Sequence, residues 1–203
     1  MERRKIRVVI FDIGGVTIQW DESMAYLYLA KKTGINVSQI RRVCDRHMDG
    51  FEYGRMTEKE FWRLVARELG YRHSLNGNWF TLFDKYVKFN KDTIRLIHAV
   101  KKKGYRTATL TNVIRPHYMY NWKSGLYGNF DRVFASCVLH MRKPDPNVYK
   151  YIIAKLKVSA QECVFIDDQL VNVQGAKKAG MKAFQFRSAG QTKKELKKLG
   201  VMA

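Results

Sequence analysis

The stretch that decides the fold is Val8-Val9-Ile10-Phe11-Asp12-Ile13-Gly14-Gly15-Val16. From Arg7 to Phe11 it is nearly continuous and apolar, and an acid and two glycines close it. A strand with one wet face alternates apolar and polar residues, whereas a strand buried on both faces does not. The run therefore predicts a central strand of a parallel sheet that stops at a turn. Four further runs have the same character: Thr107 to Thr111, Arg132 to Ala135, Glu162 to Ile166 and Lys182 to Phe186. Helical spacing separates them over Lys91 to Lys103, Tyr118 to Lys123, Asn147 to Leu156 and Val171 to Ala179. Strands alternating with helices predict an α/β fold, a Rossmann-like doubly wound parallel sheet covered on both sides.

The helix ends agree with this order. Lys101-Lys102-Lys103-Gly104 and Lys177-Lys178-Ala179-Gly180 place cations, then glycine, where a helix C-terminus favours them. Between the first strand and Asn90 the pattern changes. Ser23 to Lys32, Ser38 to Met48, Thr57 to Leu69 and Trp79 to Val87 are all helical in spacing, and Thr57 with Glu60 reads as a capping box. The expected organisation is a sheet domain from residues 1–16 and 90–203, with a small all-helical domain, 17–89, inserted after the first strand.

The chain has 203 residues, 46% of them hydrophobic, enough for one well-cored domain with an insertion. No stretch approaches the roughly 18 apolar residues of a membrane span, and Met1 to Arg7 is basic without the apolar core of a signal peptide. A soluble cytoplasmic protein with no membrane partner is expected. Cys44, Cys137 and Cys163 are odd in number and lack metal-like spacing, so reduced thiols are expected. Thirty-eight Lys and Arg against 18 Asp and Glu give a net charge of +20. The cations are spread along predicted helices with no nucleic-acid-binding module around them, so solvated basic faces are expected rather than a nucleic-acid partner.

In an open parallel sheet, ligands bind outside the carboxyl ends of the strands. Asp12 ends the first strand, Thr111 and Asn112 end the second, Asp167 and Asp168 end the fourth, and Lys143 lies in the turn after the third. Each alone reads as a turn former, a helix cap or a surface cation. Together they occupy one rim. Three carboxylates converging there repel one another unless a cation neutralises them. With oxygen donors only, and a phosphate to complete the shell, magnesium (Mg2+) is the expected ion. Lys143 and Thr111 would supply the remaining donors to a phosphoryl group.

Val8 to Val16, Leu110-Thr111-Asn112, Met141-Arg142-Lys143-Pro144-Asp145-Pro146 and Val164-Phe165-Ile166-Asp167-Asp168 resemble the four ordered motifs of the haloacid dehalogenase superfamily. Asn172 to Gly180 continues the likeness, which spans the chain. Within the superfamily the sequence is most similar to the sugar-phosphate phosphatase branch, whose second motif also runs on through Arg115 and His117. The helical insertion resembles the family's mobile cap. The resemblance implies a phosphatase acting on a small phosphorylated metabolite. Asp12 would be nucleophile and metal ligand, Gly14 a ligand through its carbonyl, Asp168 a direct ligand and Asp167 a supporting acid. Thr111, the Asn112 backbone and Arg115 would bind substrate, and Lys143 would pair with Asp12 and the phosphate.

One position departs from the pattern. Most phosphatases of the superfamily carry a second Asp two residues after the nucleophile, and here that residue is Gly14. General acid and base help of this kind is worth about 10²- to 10⁴-fold. His47, Asp49, Glu52 and His117 are the candidate substitutes, and His140 has no assigned role. Two alternatives stay open: a fold kept for binding with weak catalysis, and a metal-free 2-haloacid dehalogenase, which also lacks the second Asp.

Overall fold

The computed structural model describes residues 5–202; Met1 to Arg4 of the basic start and Ala203 lie outside the described residues. In chain order the elements are β1 (Val8–Phe11), β2 (Ile18–Gln19), α1 (Ser23–Thr33), α2 (Val37–Glu52), α3 (Glu58–Glu68), α4 (Trp79–Tyr86), β3 (Lys88–Phe89) and α5 (Lys91–Lys102). They continue with β4 (Arg106–Thr111), α6 (Arg115–Lys123), β5 (Arg132–Ala135), α7 (Ser136–Leu139), α8 (Pro146–Leu156), β6 (Cys163–Asp167), α9 (Leu170–Lys178), β7 (Lys182–Gln185) and α10 (Ala189–Lys198).

Five strands form one parallel sheet in the order β5-β4-β1-β6-β7. The first strand lies in the middle, as its unbroken apolar run requires. All four of its residues are buried, and they divide between two cores by the two-residue period of a strand. Val9 and Phe11 join Leu96, Ile97 and Val100 of α5 and Leu196 of α10 on one face. Val8 and Ile10 join Val148, Tyr149 and Ile152 of α8 and Val173 and Ala176 of α9 on the other. β6 repeats the division, with Val164 and Ile166 on the first face and Cys163 and Phe165 on the second. The doubly wound α/β architecture is as the sequence predicts.

The four helices before Tyr86 gather around their own apolar cluster, centred on Tyr26, Phe51, Phe61, Trp62 and Trp79. The Thr57 and Glu60 capping box is formed. α2 runs four residues beyond Met48, because its amphipathic face continues to the buried Phe51. The antiparallel pair of β2 with β3, Ile18 opposite Phe89, ties the two ends of this helical segment together. Strands of two residues carry no readable period, so this pair had no sequence signal. The three cysteines are buried and unbridged. No helix among the described residues is long and apolar enough to cross a membrane.

Candidate active site

The strand ends bring Asp12, Lys143, Asp167 and Asp168 together. Lys143 is 1% exposed, and its Nζ lies 2.8 Å from Asp12 Oδ1 and 2.7 Å from Asp167 Oδ2. Asp12 Oδ1 also accepts from the Ile13 N–H at 2.7 Å, and Thr17 Oγ1 donates to the Asp12 carbonyl, fixing the turn after β1. Asp167 accepts from the Gln169 N–H and, through both carboxylate oxygens, from Asn172 Nδ2. The sequence assigns Asn172 no role; its place in the first turn of α9 puts it against the end of β6.

Asn112 does more than end a strand. Its Nδ2 donates to the Lys143 carbonyl and its Oδ1 accepts from the Lys143 N–H, both at 2.9 Å. Thr111, 2% exposed, lies beside it at the end of β4. Gly15 adopts a left-handed φ of +69°, and a Cβ there would lie 2.2 Å from Asp168 Oδ2. Only glycine fits this approach of backbone to carboxylate. Gly14 has open space where a Cβ would stand.

The electrostatics call for a cation. Burial pushes the Asp12 carboxyl up to about 7; Lys143 draws it down and Asp167 pushes it up again. Asp168 is also raised, by burial first and then by Asp167. Burial works against the charge on Lys143, but the two carboxylates beside it outweigh that and raise its pKa. One ammonium faces three carboxyl groups, and an oxygen from each of Asp12, Asp167 and Asp168 lies within 4.8 Å of the others. Asp168 Oδ1 is buried and has no hydrogen-bond partner. A hard divalent ion fits this all-oxygen set, since it would satisfy the orphaned oxygen and offset the excess charge.

A cavity opens beside this cluster, lined by Ile13, Gly14, Gly15, Thr111 and Asn112 on the sheet side. The helical side contributes Trp20, Glu22, Met48, Glu52, Trp79 and Phe83 among others. His117 lines it as well, stacked on Phe83 at 3.9 Å between ring centroids. Glu22 belongs to no motif, and only the fold reveals it here.

Of the candidate substitutes for the missing acid, Glu52 and His117 line the cavity, and the other candidates fall elsewhere. Arg115 lines a separate depression with Gly54, Met119 and Cys137, its guanidinium 5.4 Å from the Tyr118 ring centroid. The start of α6 places it outside the lining of the cavity beside the carboxylate cluster, although it follows the second motif closely in sequence. His47 Nε2 lies 2.7 Å from Glu68 Oε2, a partner between α2 and α3. Asp49 and Glu52 both pair with Arg142, the latter at 2.8 Å. His140 Nδ1 meets the Tyr53 carbonyl at 2.8 Å, and Ser136 Oγ donates to the Glu52 carbonyl at 2.7 Å. These contacts dock the end of α2 on the segment after β5, and they give His140 a structural role.

Residues 6–180 match the family model for haloacid dehalogenase-like hydrolases, and the chain belongs to that family. It is a hydrolase of the phosphatase type. It is 25% identical over 199 residues to a sesquiterpene phosphatase of Aspergillus oryzae, covering 95% of this chain and 96% of the relative. It is 26% identical over 210 residues to a phosphatase of Mycobacterium tuberculosis, covering 97% and 96%. Some longer relatives are matched over about a third of their length, 36% in one case. Among solved structures, a haloacid dehalogenase family enzyme from Bacteroides thetaiotaomicron, in complex with magnesium and inorganic phosphate, superposes with a TM-score of 0.76. It is 19% identical and covers 90% of this chain and 95% of that one.

Proposed function

We propose that the protein is a magnesium-dependent phosphatase that hydrolyses a small phosphomonoester through an aspartyl phosphate on Asp12. The observation that carries this reading is the buried Lys143 ammonium held between Asp12 and Asp167, with the orphaned Asp168 oxygen beside them. The ion would be held by Asp12, Asp168 and the Gly14 carbonyl, with Asp167 supporting from behind. When bound it neutralises the carboxylates and the substrate phosphate, letting two like-charged groups meet.

The chain's own residues do the rest. Lys143 holds the Asp12 carboxylate in place and offers its charge to the equatorial phosphoryl oxygens. Thr111 and the backbone after it would receive the phosphoryl group. An Asp12 carboxylate oxygen bonds to phosphorus as the bond to the leaving oxygen breaks, and that oxygen departs with the electron pair and takes a proton from water. Water then attacks the phosphorus of the aspartyl phosphate, freeing Asp12 and inorganic phosphate. A covalent route by carboxylate replaces one hard step with two easier ones. Residues 17–89 would act as the cap, docked through Arg142 and His140.

Removal of the ion tests the reading. Phosphate release from p-nitrophenyl phosphate should vanish with excess chelator and return with magnesium, and Asp168→Ala should behave as the chelated wild type does. Full activity in chelator would refute it.

A further inference from the structure

The cavity between the sheet rim and the helical segment has a composition at odds with the rest of the chain. The chain carries 38 Lys and Arg residues, and none of the described ones lines it. Among the described residues its only formally charged side chains are Glu22 and Glu52, the latter paired with Arg142. Its walls are Ile18, Trp20, Met48, Trp79, Phe83 and Ile114, with Trp20 against Phe83 at 5.1 Å and against His117 at 5.6 Å.

Resting on the phosphatase reading above, we propose that this cavity receives the leaving group of the substrate and selects one that is uncharged and apolar-faced, such as an aryl or branched hydrocarbon group. Gly14, Gly15, Thr111 and Asn112 line the cavity, with Gly15 against Asp168 and Asn112 against Lys143, so a substrate phosphate in line for attack by Asp12 would point its ester oxygen toward this space. Flat aromatic walls gain from contact with an apolar face. A second phosphate or a carboxylate would find no Lys or Arg among the described lining residues and would meet the Glu22 carboxyl group, since Glu52 is already paired with Arg142 at 2.8 Å; a further negative charge beside Glu22 is disfavoured. His117 adds no positive charge, because burial pulls its pKa down to about 3. The net charge of +20 draws phosphate esters of every kind toward the protein, and the cavity then discriminates among them.

The test compares phenyl phosphate, 4-carboxyphenyl phosphate and 4-sulfophenyl phosphate, whose two charged phenols both leave more readily than phenol, as substrates for the wild type, Trp20→Ala and Glu22→Gln, with magnesium present. Chemistry alone therefore favours the anionic esters, and any preference for phenyl arises in the cavity. In the wild type, kcat/KM for phenyl phosphate should exceed that for the other two by at least about tenfold. Trp20→Ala should raise KM for phenyl phosphate with a smaller change in kcat, and Glu22→Gln should narrow the gap to the carboxylated ester. Equal or faster turnover of either charged substrate overturns the inference and leaves the phosphatase reading standing. If Asp12 is not needed for phosphate release from any of them, the phosphatase reading falls and takes this one with it.

Discussion

The Asn112 side chain and the Lys143 peptide unit form a two-point clamp, with Nδ2 donating to the carbonyl and the N–H donating to Oδ1, each at 2.9 Å. The clamp joins the end of β4 to the loop that follows α7 and so sets where the Lys143 ammonium stands. An amide presents a donor and an acceptor side by side, matching the carbonyl and N–H of the peptide it clamps.

Asn112→Asp keeps the acceptor but loses the donor, and Asn112→Ala loses both. Each should leave a Lys143 main-chain group unpaired, at about 1–3 kcal/mol. Activity should fall further, by about 10- to 100-fold in kcat, because the ammonium is no longer held against Asp12. Thermal melts and steady-state rates check the two effects. An unchanged kcat in Asn112→Ala would show that Lys143 is positioned by its ion pairs alone.

Gly14 and Gly15 should respond oppositely to substitution. Gly15→Ala forces a methyl into the Asp168 carboxylate from a left-handed backbone, and the magnesium concentration for half-maximal activity should rise by more than about tenfold. Gly14 has room for a side chain. Gly14→Asp should therefore fold normally and speed the first step for primary alkyl phosphates more than for aryl phosphates, whose less basic oxygens depend less on a proton donor. Single-turnover rates across a leaving-group series measure this. A uniform gain, or none, would mean that another residue already supplies the proton.

His117 should make the fold sensitive to mild acid. Burial lowers its pKa from 6.5 to about 3, and a hydrogen bond with the Trp79 main chain opposes this only in part. Between those values the unfolded chain binds a proton that the folded chain refuses, so stability rises with pH. This group's contribution is complete above pH 6.5 and declines by about 1.4 kcal/mol per pH unit below it. Chemical denaturation of wild type and His117→Phe from pH 7.5 to 4.5 isolates it, since the carboxylates common to both cancel. Parallel curves would contradict the assignment.

Much of this molecule is legible in its sequence because the sheet imposes a simple code. An unbroken apolar run marks a strand buried on both faces, and the polar residue at its end marks the rim. That code finds Asp12, Thr111, Asp167 and Asp168, and with the loop after α7 it finds Lys143. It fails where a role depends on partners distant in the chain. Asn112 reaches Lys143 across 31 residues, and Arg142 reaches Asp49 across 93. The rim position marks Asn112 in the sequence, but nothing local shows that its side chain clamps Lys143 or that Arg142 holds the end of α2. Glu22 enters the cavity because of how α1 is placed, and Arg115 leaves it because of how α6 begins. Both outcomes are set by tertiary packing.

The covalent mechanism stands on Asp12 as the nucleophile. Asp12→Asn preserves shape and one hydrogen-bonding oxygen but removes the charge and the nucleophilic oxygen pair. The most direct measurement is phosphate release from p-nitrophenyl phosphate with magnesium by wild type and Asp12→Asn, with circular dichroism establishing that both are folded. Asp12→Asn should retain less than about 0.1% of wild-type kcat, the loss expected when a covalent nucleophile is removed. Retention of more than about 5% by the folded variant would contradict the covalent mechanism, because a missing nucleophile cannot leave so much of the rate in place.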